Sequence, residues 1–214
     1  IITAELTGRP SPIADLKEQT IPNYGVKEAA FPFNMFQEVD PVLGPEMRST
    51  GEVLSMSSNF GEAFFKAQEA TQSKLPFEGT LLISVGDRDK PELIEIARDF
   101  NELGFKIIAT GATCDMIRKD GIEAEKVCKI NEGRPNVLDV ISNGKIDLII
   151  NTPIGADGAS DDSYLRKGAI KKKIPYITTI AAAKATASGM ISMGKPGCGD
   201  VKSLQEWHSE IKDK

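Results

Sequence analysis

From residue 79 to residue 190 the apolar positions switch repeatedly between two spacings, and each switch predicts an element. The run 79–85 (GTLLISV) is continuous and β-branched, as a strand buried on both faces requires. In 91–103 the apolar residues Leu93, Ile94, Ile96, Ala97, Phe100 and Leu103 fall on one helical stripe, with Pro91 in the first turn and Gly104 placed to end it. The same alternation continues through strand 105–109, helix 113–119, a short strand at 124–128 and helix 135–142. It then gives strand 146–151, helix 164–172, strand 174–178 and helix 181–190. Strict alternation of this kind predicts an α/β fold of three layers, a mainly parallel five-stranded sheet flanked by helices with right-handed crossovers. A last surface helix is expected over 201–214.

The first fifty residues follow neither spacing. Prolines at 10, 12, 22, 32, 41 and 45 oppose long helices and ladder-internal strands, so an irregular segment is expected there, the border of a larger domain. At 59–72, Phe60, Ala63, Phe64, Ala67 and Ala70 recur at helical spacing, and 73–77 reads as a linker. The chain thus divides into 1–58, 59–77 and 78–214. It opens on Ile1 and reads as a fragment of something longer, with no signal peptide visible.

Composition narrows the function. Hydrophobic residues at 40% suffice for a core, while a net charge of −5 argues against nucleic acid. The one dense basic run, Lys171 to Lys173, suits a solvated helix end. Cys114, Cys128 and Cys198 show no paired spacing, so neither a disulfide framework nor a metal site is expected, and a reducing cytoplasm is. No apolar run approaches the ~18 residues that cross a membrane.

Ligands of an open parallel sheet bind beyond the carboxyl ends of its strands. Those ends read Gly86-Asp87-Arg88-Asp89-Lys90, Thr110-Gly111-Ala112-Thr113, Asn151-Thr152 and Thr178-Thr179. Threonine hydroxyls, a glycine that admits close approach, helix N-terminal N–H groups and a lysine together form an anion cradle, with phosphate its natural guest. Taken singly, each threonine is better explained as a helix cap, and it is the convergence of several such ends on one sheet edge that shifts the balance to a phosphate site. Catalysis finds little support: His208 is the only histidine and lies far from these ends, and no Ser/His or Cys/His pair is available. Asp87, Asp89, Asp157, Asp161 and Asp162 read as solvated or capping acids, and Arg134 as an anion contact or a loop ion pair.

Asn34-Met35-Phe36 and the string from Asp40 to Val53, which ends in GPEMRSTGEV, resemble the end of the second ATP-grasp half of the carbamoyl phosphate synthetase large-subunit family. SVGDRDK, GFKIIATGAT, KINEGRP and IDLIINT follow in the order of that family's C-terminal allosteric domain, which has the methylglyoxal-synthase-like fold. The resemblance covers essentially the whole chain. It implies a parent ligase that makes carbamoyl phosphate from bicarbonate, glutamine-derived ammonia and ATP, with Mg or Mn, for pyrimidine and arginine synthesis. It implies as partners the catalytic domains of the same subunit, a glutaminase small subunit and a homo-oligomer formed through this domain. No cofactor is implied for the fragment itself, nor any catalytic residue.

The resemblance further implies nucleotide monophosphate effectors of the UMP and IMP type, gripped chiefly at the phosphate by Lys90, Thr110, Thr113, Lys129 and Asn151. Pro153 stands where the family has a further threonine. An ornithine-type effector would meet Glu28, Leu43, Tyr176 and Thr178. The alternative is a stand-alone lyase like the methylglyoxal synthases. Those use an aspartate and a histidine in strings that here read Glu132-Gly133-Arg134-Pro135 and Ala159-Ser160-Asp161-Asp162-Ser163, without a histidine. A third reading is a purely structural or oligomerising domain.

Overall fold

A computed structural model of the chain describes residues 2–11, 13, 19–30, 51–71, 74–152, 155–194, 199 and 201–213. It opens with α1 (Ile2–Thr7) and β1 (Gln19–Thr20). An antiparallel ribbon of β2 (Tyr24–Ala30) and β3 (Gly51–Ser57) follows, with Val26 opposite Ser55 and Glu28 opposite Val53. Regular pairing was not expected in this proline-rich part. The prolines fall outside the two strands, so no ladder N–H is lost.

Helix α2 (Phe60–Ala70) begins at Asn59, whose side chain accepts the Glu62 N–H at 3.1 Å. Its inner face, Ala63, Phe65 and Ala67, is fully buried. Each large side chain so buried contributes about 1.5–3 kcal/mol. The linker thus begins only after a helix that is packed into the body of the protein.

The alternating part forms β4 (Thr80–Ser84), α3 (Lys90–Glu102), β5 (Lys106–Thr110), α4 (Gly111–Lys119), β6 (Glu125–Val127) and α5 (Val137–Ser142). It continues with β7 (Leu148–Asn151), α6 (Gly155–Lys172), β8 (Tyr176–Ile177) and α7 (Ile180–Met193). The five strands are all parallel, in the order β6-β5-β4-β7-β8. The chain builds outward from β4 on one side and then resumes on the other, which makes the crevice between the ends of β4 and β7 the switch point of the sheet.

Side chains alternate between two cores. Leu81, Ile83, Ile107, Leu148 and Ile150 meet Phe65, Leu93, Phe100 and Met190, whereas Leu82, Ile108 and Ile149 meet Val137, Ile141 and Leu165. Helices therefore cover both faces, and apolar residues at both parities produce the continuous runs seen in the sequence. Gly104, at φ +91°, ends α3 as expected, and the Phe105 N–H closes on Phe100 O at 3.0 Å.

Two expectations need correction. Helix α6 starts at residue 155, not 164, so Asp162 is a helical, buried residue instead of a solvated loop acid. The tail 201–214 is not one helix. Ser203 and Glu206 form a capping box that starts α8 (Leu204–Ser209), and β9 (Lys212–Asp213) then pairs antiparallel with β1. Asn23 donates to the Glu210 carboxylate at 2.7 Å and draws this end back onto the N-terminal segment. Among the described residues no helix is long and apolar enough to cross a membrane.

Candidate functional site

At the switch point the ends of β4, β5 and β7 surround a cavity of about 250 Å³. Strand β4 leaves through Ser84, Val85 and Gly86 into a 3-10 turn, Asp87–Asp89, and Lys90 opens α3. The turn is fastened to β7: Thr152 donates its N–H to Ser84 O at 3.0 Å, and its hydroxyl accepts the Gly86 N–H at 3.1 Å. Strand β5 passes into α4 with no connecting loop. Gly111 sits at φ +33°, in the left-handed region where a side chain is unfavourable.

Thr110 occupies the cap position of α4, but its side chain makes no capping bond. Its hydroxyl donates instead to Ser84 Oγ at 3.3 Å. Thr179, in the same position ahead of α7, does cap, accepting the Ala182 N–H at 3.2 Å. The two threonines therefore part company. The hydroxyl of Thr110, the buried Thr113 and the N-terminus of α4 face the cavity, where the helix dipole favours an anion.

Lys90 and Lys129 bring positive charge to the same space. The Lys90 ammonium bonds the Asp87 carboxylate. That bond, with the charges of Lys90 and then Lys129, holds the Asp87 carboxyl below its ordinary range. On the far wall Asn151 is buried, and its amide nitrogen donates to Asp162 Oδ1 at 2.8 Å and to the Tyr176 hydroxyl at 2.6 Å. Tyr176 in turn donates to Asp162 Oδ1 at 2.5 Å, and Arg166 pairs with the other oxygen of that carboxylate. Burial pushes the Tyr176 phenol up to about 12, outweighing the Asn151 hydrogen bond that lowers it. The amide nitrogen of Asn151 is thus tied to the two oxygens of this network on the cavity wall.

A family model for the MGS-like domain matches residues 92–178, from the first turn of α3 to the end of β8. The C-terminal section of the carbamoyl phosphate synthase large chain of Methanopyrus kandleri is 53% identical over 184 residues, 86% of this chain and 34% of that protein. The protein of the same name from Aquifex aeolicus is 47% identical over 194 residues, 89% of this chain and 36% of that one. The carbamoyl phosphate synthase large chain of Gemmatimonas aurantiaca is 47% identical over 196 residues, 91% of this chain and 18% of that protein.

The chain belongs to the carbamoyl phosphate synthase large-chain family.

It spans between 18% and 36% of the length of these relatives. Among solved structures, a methylglyoxal synthase from Elizabethkingia anophelis NUHP1 aligns with a TM-score of 0.42 at 17% identity, covering 63% of this chain and 92% of that chain. All five residues expected at a nucleotide site, Lys90, Thr110, Thr113, Lys129 and Asn151, line this same cavity.

Of the residues expected for an ornithine-type effector, the described ones, Glu28, Tyr176 and Thr178, do not line this cavity. Leu43 lies outside the described residues, as does Pro153. Glu28 is half-buried in the β2–β3 ribbon, Thr178 is exposed beyond β8, and the Tyr176 hydroxyl is turned to Asn151 and Asp162. Sequence reasoning missed Ser84, Asp162 and Arg166 as parts of the site. The i,i+4 spacing of Asp162 and Arg166 becomes a signal only once the helix is known to begin before them. His208 is exposed on α8, and no histidine lines the cavity. Among the described residues no group of three His, Cys, Asp or Glu is placed to hold a metal ion.

Proposed function

We propose that this segment is the effector-sensing end of a carbamoyl phosphate synthase large chain, and that the switch-point cavity takes a nucleoside monophosphate. The observation that carries the reading is the convergence of Lys90, Lys129, Thr110, Thr113 and the α4 N-terminus on one cavity, with the Thr110 hydroxyl left out of capping. Two cations and several donors directed at one small volume suit a phosphate dianion. Asn151 lines the same cavity, with its amide held in place by Asp162 and Tyr176.

The reading extends to the parent protein: an ATP-dependent, glutamine-using ligase requiring Mg or Mn, cytoplasmic, with catalytic domains in the same chain and a glutaminase small subunit. The segment itself regulates and performs no catalysis, and homo-oligomers form through it. Regulation is a coupling between two sites and is expressed only with the catalytic domains present.

Calorimetric titration of the chain with UMP and with IMP tests the reading. Lys90→Ala and Thr113→Val should each weaken the bound nucleotide by about 1.5–3 kcal/mol, the contribution of a charge-assisted hydrogen bond. Failure of both nucleotides to bind more tightly than about 1 mM, or roughly 4 kcal/mol, would leave the sensing function without support. Turnover of dihydroxyacetone phosphate to methylglyoxal above background would favour a lyase instead. Titration with ornithine in the same cell tests the second effector.

A further inference from the structure

We infer that Asp87 is an internal competitor for the anion site: its carboxylate occupies Lys90 when the cavity is empty and thereby sets how tightly a phosphate is held. The inference rests on the phosphate reading of the cavity and deepens it. Of the two acids in the 3-10 turn, Asp87 lines the cavity, while Asp89 pairs with the neighbouring Arg88 at 3.3 Å. Asp87 bonds the Lys90 ammonium directly, and the charge of Lys129 also acts on it, so its carboxylate already occupies one of the two cations that a phosphate would use.

Exposure decides which partner gives way. The Lys90 side chain is 20% exposed and belongs to the cavity wall, whereas the Asp87 side chain is 90% exposed. An exposed carboxylate returns to water with little loss, since solvent screens surface ion pairs and holding two side chains together costs entropy. Its position is nonetheless fixed by the backbone. The Thr152 hydroxyl holds the Gly86 N–H, and the Asp89 N–H closes on Gly86 O at 3.0 Å, so the carboxylate is presented to Lys90 whenever no ligand is there.

Calorimetry with inorganic phosphate on the full chain tests this, because phosphate carries none of the sugar or base contacts. Asp87→Asn keeps the shape and removes the charge. Phosphate should then bind about fivefold more tightly, because the unit-charge ion pair it must otherwise open, at roughly 4 Å in a water-like medium, is no longer there. The double variant Asp87→Asn with Lys90→Ala should bind no better than Lys90→Ala alone, since the competition acts through that ammonium. A purely structural Asp87, serving the start of α3, predicts equal or weaker binding in Asp87→Asn, and that result would overturn the competitor role. A gain that persists without Lys90 would also overturn it, by showing that the carboxylate acts on the ligand alone. Absence of phosphate binding in wild type and Asp87→Asn alike would sink the phosphate reading and the competitor with it. Binding that Lys90→Ala weakens while Asp87→Asn leaves it unchanged would retain the first and reject the second.

Discussion

Replacing Gly189 by alanine should destabilise the protein, although the same change usually stabilises a helix. Gly189 lies inside α7 where α2 crosses it. A Cβ there would stand 2.8 Å from the carbonyl oxygen of Gly61 and 3.1 Å from Phe65 Cβ. The reverse contact is as tight: a Cβ on Gly61 would stand 2.8 Å from Ser188 O and 2.9 Å from its carbonyl carbon. Much of the obstruction is backbone and cannot swing aside, so the helices must separate and loosen Phe65 and Met190 in the shared core. Overpacking of this kind costs about 1–3 kcal/mol, and the helix-propensity gain of about 1 kcal/mol offsets part of it. The net expectation is a loss of up to about 2 kcal/mol in urea unfolding followed by far-ultraviolet circular dichroism. Gly168 in α6 supplies the control, because its Cβ would meet only Ile141 Cγ2 at 3.4 Å, an ordinary contact. Gly168→Ala should therefore stabilise by about 0.5–1 kcal/mol. Stabilisation by both substitutions would refute the close crossing of α2 and α7, and with it the inclusion of α2 in the main body.

Two pH-dependent effects follow from buried groups. Burial pushes the Glu62 carboxyl up, but hydrogen bonds from Lys66, the Gly199 N–H and Ser57, with the Lys66 charge, outweigh it and leave the group below 4.5. A lowered carboxyl stabilises the fold above its unfolded value and loses that stability as pH falls through the folded one, so Glu62→Gln should flatten the acid limb of a stability–pH curve below about pH 4.5. Tyr176 has the opposite sign: raised from 10.0 to about 12, it stabilises below pH 10 and loses that contribution as pH climbs towards 12. Tyr176→Phe should flatten this alkaline limb and remove the latest step of phenolate absorbance, and an unchanged titration would mean that the hydroxyl is not buried.

The sheet was legible because its strands are buried on both faces. Leu81 to Ile83 and Leu148 to Ile150 are apolar at every position, and helices with a clear stripe separate them. The β2–β3 ribbon lacked such a mark. YGVKEAA buries residues only partly, and its partner strand begins at Gly51, beyond a long intervening segment, so neither strand announces the other. The start of α6 was hidden for another reason. Gly155, Gly158, Asp161 and Asp162 have poor helix propensity, and Asp162 is held by Asn151, Tyr176 and Arg166, contacts that exist only in the folded protein.

The site divides along the same line between local and tertiary causes. Thr110 and Thr179 each follow a strand and precede a helix, and no local rule separates them. Strand order does. The sequence β6-β5-β4-β7-β8 sets the end of β5 beside that of β4, where Ser84 draws the Thr110 hydroxyl, and sets β7 on the other side with Asn151 and Thr152. Strand β8 lies one place further out, so Thr178 and Thr179 fall away from the cavity while the Tyr176 hydroxyl still reaches Asn151. The residue types at the strand ends suggested the chemistry proposed above, an anion cradle. The register of neighbouring strands decided which of those residues line the cavity, and the pairing of Asn151 with Asp162 and Tyr176 ties its amide into the far wall, a link that no local pattern announces.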